Sequence, residues 1–322
     1  MRFLVQAATR FTLAVLTLLA VSLLVFGALR LLPGSYAELV LGPLASPQAK
    51  ADAAARLGLD QGVAAQYLHW LAALLRGDLG TSFATGSPVA EEFARRFPVT
   101  LAVAVGAAAI TLVAGVPLGV LTAVREAAAG RNRSGWRLLA AVGASVPEFV
   151  LAVLVVHVVS STGIGPRIGG FEPLEAGPGP FAASLLWPVL VLAVPCAALT
   201  ARTTRDAVAG VLVEPHVAAC VARGEAPGAV LRHHVLRNAT APVLTLTATV
   251  VATLLGGTVI VETVFDVPGL GSYLVTALGR RDYAVVQAGV LLAAVVFVLA
   301  GALADVVAGA VDPRLRLRGS AA

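Results

Sequence analysis

The sequence predicts an all-α, polytopic membrane protein with six transmembrane helices, on three observations. Apolar residues make up 58% of the 322 residues, charged residues only 13%, and the mean hydropathy is +0.89, a balance foreign to a soluble domain of this length. Six runs are long and apolar enough to cross about 30 Å of hydrocarbon, which takes roughly 20 helical residues. The basic residues, finally, collect in alternate segments between those runs.

The runs extend from Phe11 to Leu29, Thr100 to Val124, Leu138 to Ser160, Phe181 to Thr200, Val243 to Val261, and Tyr283 to Ala304. The first has the place of a secretory signal. Its uncharged core is long, however, and Phe26-Gly27-Ala28 before Arg30 makes a poor cleavage site, so a retained span is expected. With the N-terminus inside, fourteen basic residues and five acids fall on the inner side, against nine and eleven outside. Arginine concentrates on the cytoplasmic side of membrane proteins. Both termini and the loop at 201–242 are therefore predicted inside, and 31–99 outside.

The outer segment reads as two helices. Ser46-Pro47 is a cap and first-turn pair opening a helix that Gly58 ends. The second, Val63 to Arg76, carries Tyr67, Leu68, Trp70, Leu71, Leu74 and Leu75, with Gly77 as a stop. It is expected either at the membrane interface with Trp70 at headgroup depth or as a lid packed on the spans. Two cysteines, Cys196 and Cys220, are too few for a disulfide framework and are expected as free thiols.

The most distinctive polar stretch is Glu214 to Pro242, between two long apolar runs. Ala218, Ala219 and Cys220 precede Gly224 by four to six positions, and Arg and His residues come after it. A short helix with a small-residue face, stopped by glycine, suits docking into a groove on a partner. These residues resemble the coupling loop of bacterial ABC-importer permeases, the binding-protein-dependent transport family, whose signature is Glu-Ala-Ala, three residues, then Gly. Gly224 fits; Ala218-Ala219-Cys220 departs from it. Leu31-Leu32-Pro33-Gly34, Leu57-Gly58-Leu59-Asp60, Gln66-Tyr67, Trp70, and Arg76-Gly77-Asp78-Leu79-Gly80 with Ser82 are similar to the dipeptide/oligopeptide (and nickel) subfamily. So are Glu262-Thr263-Val264-Phe265, Pro268-Gly269-Leu270-Gly271, Arg281-Asp282-Tyr283, Val286-Gln287 and Asp312-Pro313-Arg314.

The resemblance implies a type I importer permease fold with a transmembrane core at 100–312 and cytoplasmic tail at 313–322. It also implies a bacterial plasma-membrane location, and alternating access driven by separate ATP-binding subunits. Those subunits would meet Glu214, His216, Ala218, Ala219, Cys220, Arg223 and Gly224. A related second permease and an extracytoplasmic solute-binding protein complete the implied partners, with no nucleic acid and no cofactor. The residues themselves exclude an ATPase of the phosphate-loop type. G-x-x-x-x-G-K-[ST] needs a lysine, and the sole one, Lys50, lies between alanines. No nucleophile, base and oxyanion-donor set is visible.

Other signals admit two readings. Glu148 comes directly after Pro147, about half-way along the third run, where a carboxylate is costly unless it faces water or a partner; it is a pathway candidate or a packed residue near a wet interface. Asp305 reads as a helix-end residue. A self-contained secondary transporter or channel using Glu148 and Asp305 is the alternative. Gly256 and Gly257 read as close-packing positions or pathway lining. His216, His233 and His234 show no ligand spacing with cysteine or carboxylate, so no metal site is expected. Asn132-Arg133-Ser134 and Asn238-Ala239-Thr240 are chance matches to a glycosylation acceptor on the inner side.

Overall fold

The computed structural model describes residues 2–30, 46, 48, 61–129, 135, 143 and 145–311. Nearly all of the expected helix at 47–57, the Leu31-Leu32-Pro33-Gly34 motif, Asn132 to Ser134, and the Asp312-Pro313-Arg314 tail lie outside the described residues. Helices are α1 (Arg2–Arg30), α2 (Val63–Leu75), α3 (Val89–Ala129), α4 (Glu148–Thr162), α5 (Pro178–Ser184), α6 (Leu186–Leu212), α7 (Pro215–Ala222), α8 (Leu236–Val264), α9 (Leu270–Gly279) and α10 (Tyr283–Val311). No named strand occurs among the described residues.

Four of these helices, α1, α3, α6 and α10, are long and apolar enough to span a membrane. The six expected from sequence are therefore not all displayed. The third run appears only from Glu148, as the 15-residue α4; most of 136–144 lies outside the described residues. The fifth falls inside α8, a 29-residue helix, many of whose side chains between 241 and 255 lie outside the described set. Helix α3 has 41 residues, about 60 Å at 1.5 Å per residue, so it overruns a 30 Å hydrocarbon layer. Its charges sit where that predicts: Glu91, Glu92, Arg95 and Arg96 before Phe97, then none until Arg125 and Glu126.

The chain divides into two compact units, Met1–Pro98 with Tyr273–Val298, and Val99–Ser272 with Leu299–Ala322. In the first, α2 packs its aromatic side on the end of α1. Phe26 stacks with Tyr67 and Trp70 at 5.2 and 5.6 Å between ring centres, and Ser22 Oγ and the Tyr67 hydroxyl share a 2.7 Å hydrogen bond. Helix α2 is thus packed against α1, while Val63, Leu68 and Leu75 remain exposed. It ends as expected at Gly77, whose φ is +84°. Beyond it, the buried Asp282 accepts hydrogen bonds from Ser82 Oγ at 2.5 Å and the Ala84 amide at 3.3 Å. Two motifs separated by two hundred residues are one polar knot.

In the second unit α6 is the central helix, buried through Val191, Leu192 and Ala193 against Val103 and Ala107 of α3, Ala152 of α4, and Val250 and Leu254 of α8. The approach of α3 to α6 is closest at two glycines one turn apart. A Cβ at Gly115 would lie 2.9 Å from the Ala197 carbonyl oxygen; one at Gly119 would lie 2.5 Å from that of Ala201 and 2.6 Å from Thr204 Cβ. Gly115 and Gly119 thus form a small-xxx-small face that lets backbones meet, the packing mode available where lipid removes any hydrophobic drive. Below it Arg205 of α6 pairs with Glu126 of α3, Nε to Oε2 at 3.0 Å, and with Asp206.

The start of α9 explains another motif. Glu262, fully buried at the end of α8, accepts the Ser272 amide at 3.0 Å, placing a carboxylate at a helix N-terminus, where the macrodipole favours it. A side chain at Gly269 would collide with that carboxylate, and one at Gly271 would meet Val259 Cα at 2.6 Å. The loop at 161–180 packs on α6: Trp187 Nε1 donates to the Pro166 carbonyl at 3.1 Å, with Gly165 directly against its ring.

Gly119→Ala should cost about 1–3 kcal/mol, the usual penalty for overpacking a tight contact. Gly210→Ala in α6, with nothing within 4 Å of the added carbon, should be neutral or mildly stabilising. Thermal unfolding of the detergent-solubilised variants would check this, and equal midpoints would refute the contact.

Candidate functional site

Helix α7 leaves α6 through Val213 and Glu214. Pro215 occupies its first position, where no amide donor is needed, and eight residues later Arg223 closes it. The exit is a two-bond glycine cap: the Gly224 amide donates to Val221 at 2.9 Å and the Glu225 amide to Cys220 at 3.2 Å, with Gly224 at φ +78°, a left-handed conformation that glycine adopts without strain. Space around Gly224 is open, with nothing within 4 Å of an added Cβ. A side chain at Gly224 would therefore strain the backbone without clashing with any described residue.

The helix has two distinct sides. Val217 and Cys220 are buried with Val208, Val211, Val230, Val235 and Ala239. Glu214, His216, Ala218, Ala219, Val221, Ala222, Arg223 and Gly224 are exposed. Cys220 is only 3% exposed, which corrects its placement on the outward, partner-facing side: the departure from Glu-Ala-Ala falls on the residue that seats the helix on its own chain. A small apolar thiol fits such a place. The exposed alanines and Val221, 61% exposed, form an apolar face that no described residue covers.

Polar contacts tie this helix to the segment that leads into α8. His216 Nδ1 lies 3.0 Å from Glu214 and its Nε2 3.3 Å from Asn238 Nδ2; Asn238 donates to the His234 carbonyl at 2.9 Å. Glu225 bridges Arg223 at 2.9 Å and His234 at 3.0 Å. The Arg223 hydrogen bond holds the Glu225 carboxyl below its ordinary value. His234 belongs to a six-residue π-helical segment, Val230–Val235. Cys220 Sγ, Glu225 and His234 offer ligand atoms all within 4.8 Å of one another, a grouping that spacing along the chain did not reveal. The signal was present only as a Cys-x4-Glu-x8-His interval crossing a helix cap and a π turn.

Glu148 stands elsewhere. Chain direction breaks at Val146 and Pro147, so it opens α4 instead of lying midway along a continuous helix. Its carboxylate rests against Gly257 of α8, where an added Cβ would meet Oε2 at 2.5 Å and Leu192 at 2.7 Å; Gly256 has open space. Among the described residues, Gly257 is a close-packing position and Gly256 is not. Asp305 lies in α10, its side chain outside the described residues.

Long apolar helices, with a short capped helix between α6 and α8 that exposes apolar residues, fit a membrane-embedded protein. Residues 115–317 match the family described as binding-protein-dependent transport system inner membrane component, and residues 1–104 match its N-terminal family. The chain belongs to this family and is a permease subunit. It is 34% identical to a probable peptide ABC transporter permease protein of Sinorhizobium fredii, covering 95% of this chain and 96% of that one. It is 35% identical to the dipeptide transport system permease protein of Escherichia coli, over 95% and 97%. With the glutathione transport system permease protein of Salmonella typhimurium it shares 37%, over 94% and 95%. Among solved structures, the MetNI methionine ABC transporter in inward-facing conformations matches 68% of this chain and 96% of its own, at a TM-score of 0.53 and 25% identity.

Because Cys220 is buried and Ala219 exposed, a water-soluble maleimide should label Cys220 slowly in inverted vesicles holding the permease alone. A cysteine placed by Ala219→Cys in a Cys220→Ser background should label fast. Equal rates would mean that α7 is turned the other way.

Proposed function

We propose that this chain is the membrane-spanning subunit of an ATP-driven importer for di- or oligopeptides, or a similar small solute. Family membership supports the transport role, and the three named relatives, whose solutes are all peptides, support the substrate class. One observation carries the coupling assignment: the exposed Ala218, Ala219 and Val221 on a short capped helix between two long helices. That face has no partner within the described chain and suits a groove on an ATP-binding subunit.

On this reading the partner subunits hydrolyse ATP, since no phosphate loop exists here. Their closure pushes α7, which is seated on the ends of α6 and α8 by Val217 and Cys220, so that motion of α7 reaches the core helices. The glycine cap and Arg223 fix the end of the pushed helix. A second, related permease completes the bundle, and an extracytoplasmic binding protein delivers solute. The N- and C-termini and the 201–242 loop lie in the cytoplasm of a bacterial cell and 31–99 outside it, with six spans in all. Glu148, at the meeting of α4, α6 and α8, is the pathway candidate. A self-contained transporter using Glu148 and Asp305 has no support from the family.

Two measurements test this. In a cysteine-free background, Ala176→Cys should react with an impermeant maleimide in intact cells and Ala218→Cys only after the inner face is opened; labelling of Ala218→Cys alone from outside would invert the topology. Ala219→Trp should insert at the normal level yet lose co-purification of the ATPase subunits and lose uptake. Retention of the ATPase would remove α7 from the interface.

A further inference from the structure

We propose that Cys220, Glu225 and His234 form a binding site for a divalent transition-metal ion of the zinc type, at the base of α7. Three donors of different kinds come from three places: the last turn of α7, the residue after its glycine cap, and the π-helical segment. Their ligand atoms already lie within 4.8 Å of one another, and Glu225 to His234 is 3.0 Å. Around a tetrahedral zinc with bonds of about 2.0–2.3 Å, ligand atoms sit about 3.5 Å apart. Only small side-chain shifts separate this geometry from ligation.

The charge and chemistry of the cluster also select such an ion. A thiolate and a carboxylate together balance a divalent charge, and imidazole completes a soft-to-borderline set that suits zinc, in contrast to calcium or magnesium. A cation occupies the place now: Arg223 Nη2 lies 3.0 Å from Cys220 Sγ and 2.9 Å from a Glu225 oxygen. Its side chain is 62% exposed, so it can swing into water as the metal enters. The π-helix is what brings His234 to the cluster, and such segments recur at functional sites. On ligation the metal crosslinks the C-terminal end of α7 to the segment leading into α8, while Ala218, Ala219 and Val221 stay free.

The test uses the full-length chain in lipid nanodiscs, with Cys196→Ala leaving Cys220 as the sole thiol, titrated with Co²⁺ alone. One equivalent should produce a near-ultraviolet thiolate-to-cobalt band and tetrahedral visible bands, both displaced by Zn²⁺. Cys220→Ser should lose the near-ultraviolet band, and His234→Gln should weaken binding and alter the visible bands. Arg223→Gln, which removes the competing cation, should tighten binding by about tenfold. Circular dichroism and monodispersity of each variant establish that it is folded. Absence of the thiolate band in the folded parent, or Zn²⁺ affinity unchanged by both Cys220→Ser and His234→Gln, would overturn the site. Weaker binding in Arg223→Gln would overturn the exchange with Arg223. The readout is metal binding, so its failure leaves the transport reading untouched, and the reverse.

Discussion

The close contact of α3 with α6 at Gly115 and Gly119 is the constraint on which the second unit depends. In a bilayer two apolar helices gain nothing by leaving lipid for each other, so they associate through packing and polar contacts. Two missing side chains one turn apart provide that packing, bringing the α3 backbone onto the carbonyls of Ala197 and Ala201. The same seam places Arg205 beside Glu126, towards the C-terminal end of α6. Helix α7 starts three residues past that end, and its position is set by this contact.

From there the arrangement of the loop is a matter of which residues seat it and which remain available. Val217 and Cys220 face the chain's own core, three residues apart as neighbours on a helix face must be. The residues between and beside them face outward. The helix thus has a seated side and a bare side, the two features that the proposed coupling role requires. The cluster of Arg223, Glu225 and His234 at its base sits where the two sides join, which is why a bound cation there would affect the seat without covering the bare face.

Polar groups buried outside this loop do structural work of the same kind. Asp282 gathers the loop after Gly80, and Glu262 caps α9 from the end of α8; each leaves glycines beside it where a side chain would collide or a turn must be left-handed. Motifs that look like scattered signatures along the chain are thereby pairs: a carboxylate and the backbone that surrounds it. Burying a carboxylate is tolerable only with such partners.

The chain alone determined the class. Long uncharged runs, arginine in alternate segments between them and a glycine-stopped polar helix arise from local composition and spacing, because hydrocarbon thickness and helix rise admit few alternatives. The stops at Gly77 and Gly224 were legible for the same reason, since a left-handed cap needs a particular residue. Three things were decided only by tertiary structure. Cys220 turned inward because a helix has no face until something packs on it. Gly115 and Gly119, not Gly256, became close contacts because proximity of helices is set by partners distant in sequence. And Cys220, Glu225 and His234 met because a cap and a π turn folded their intervals together, a geometry that no spacing rule for regular helices contains.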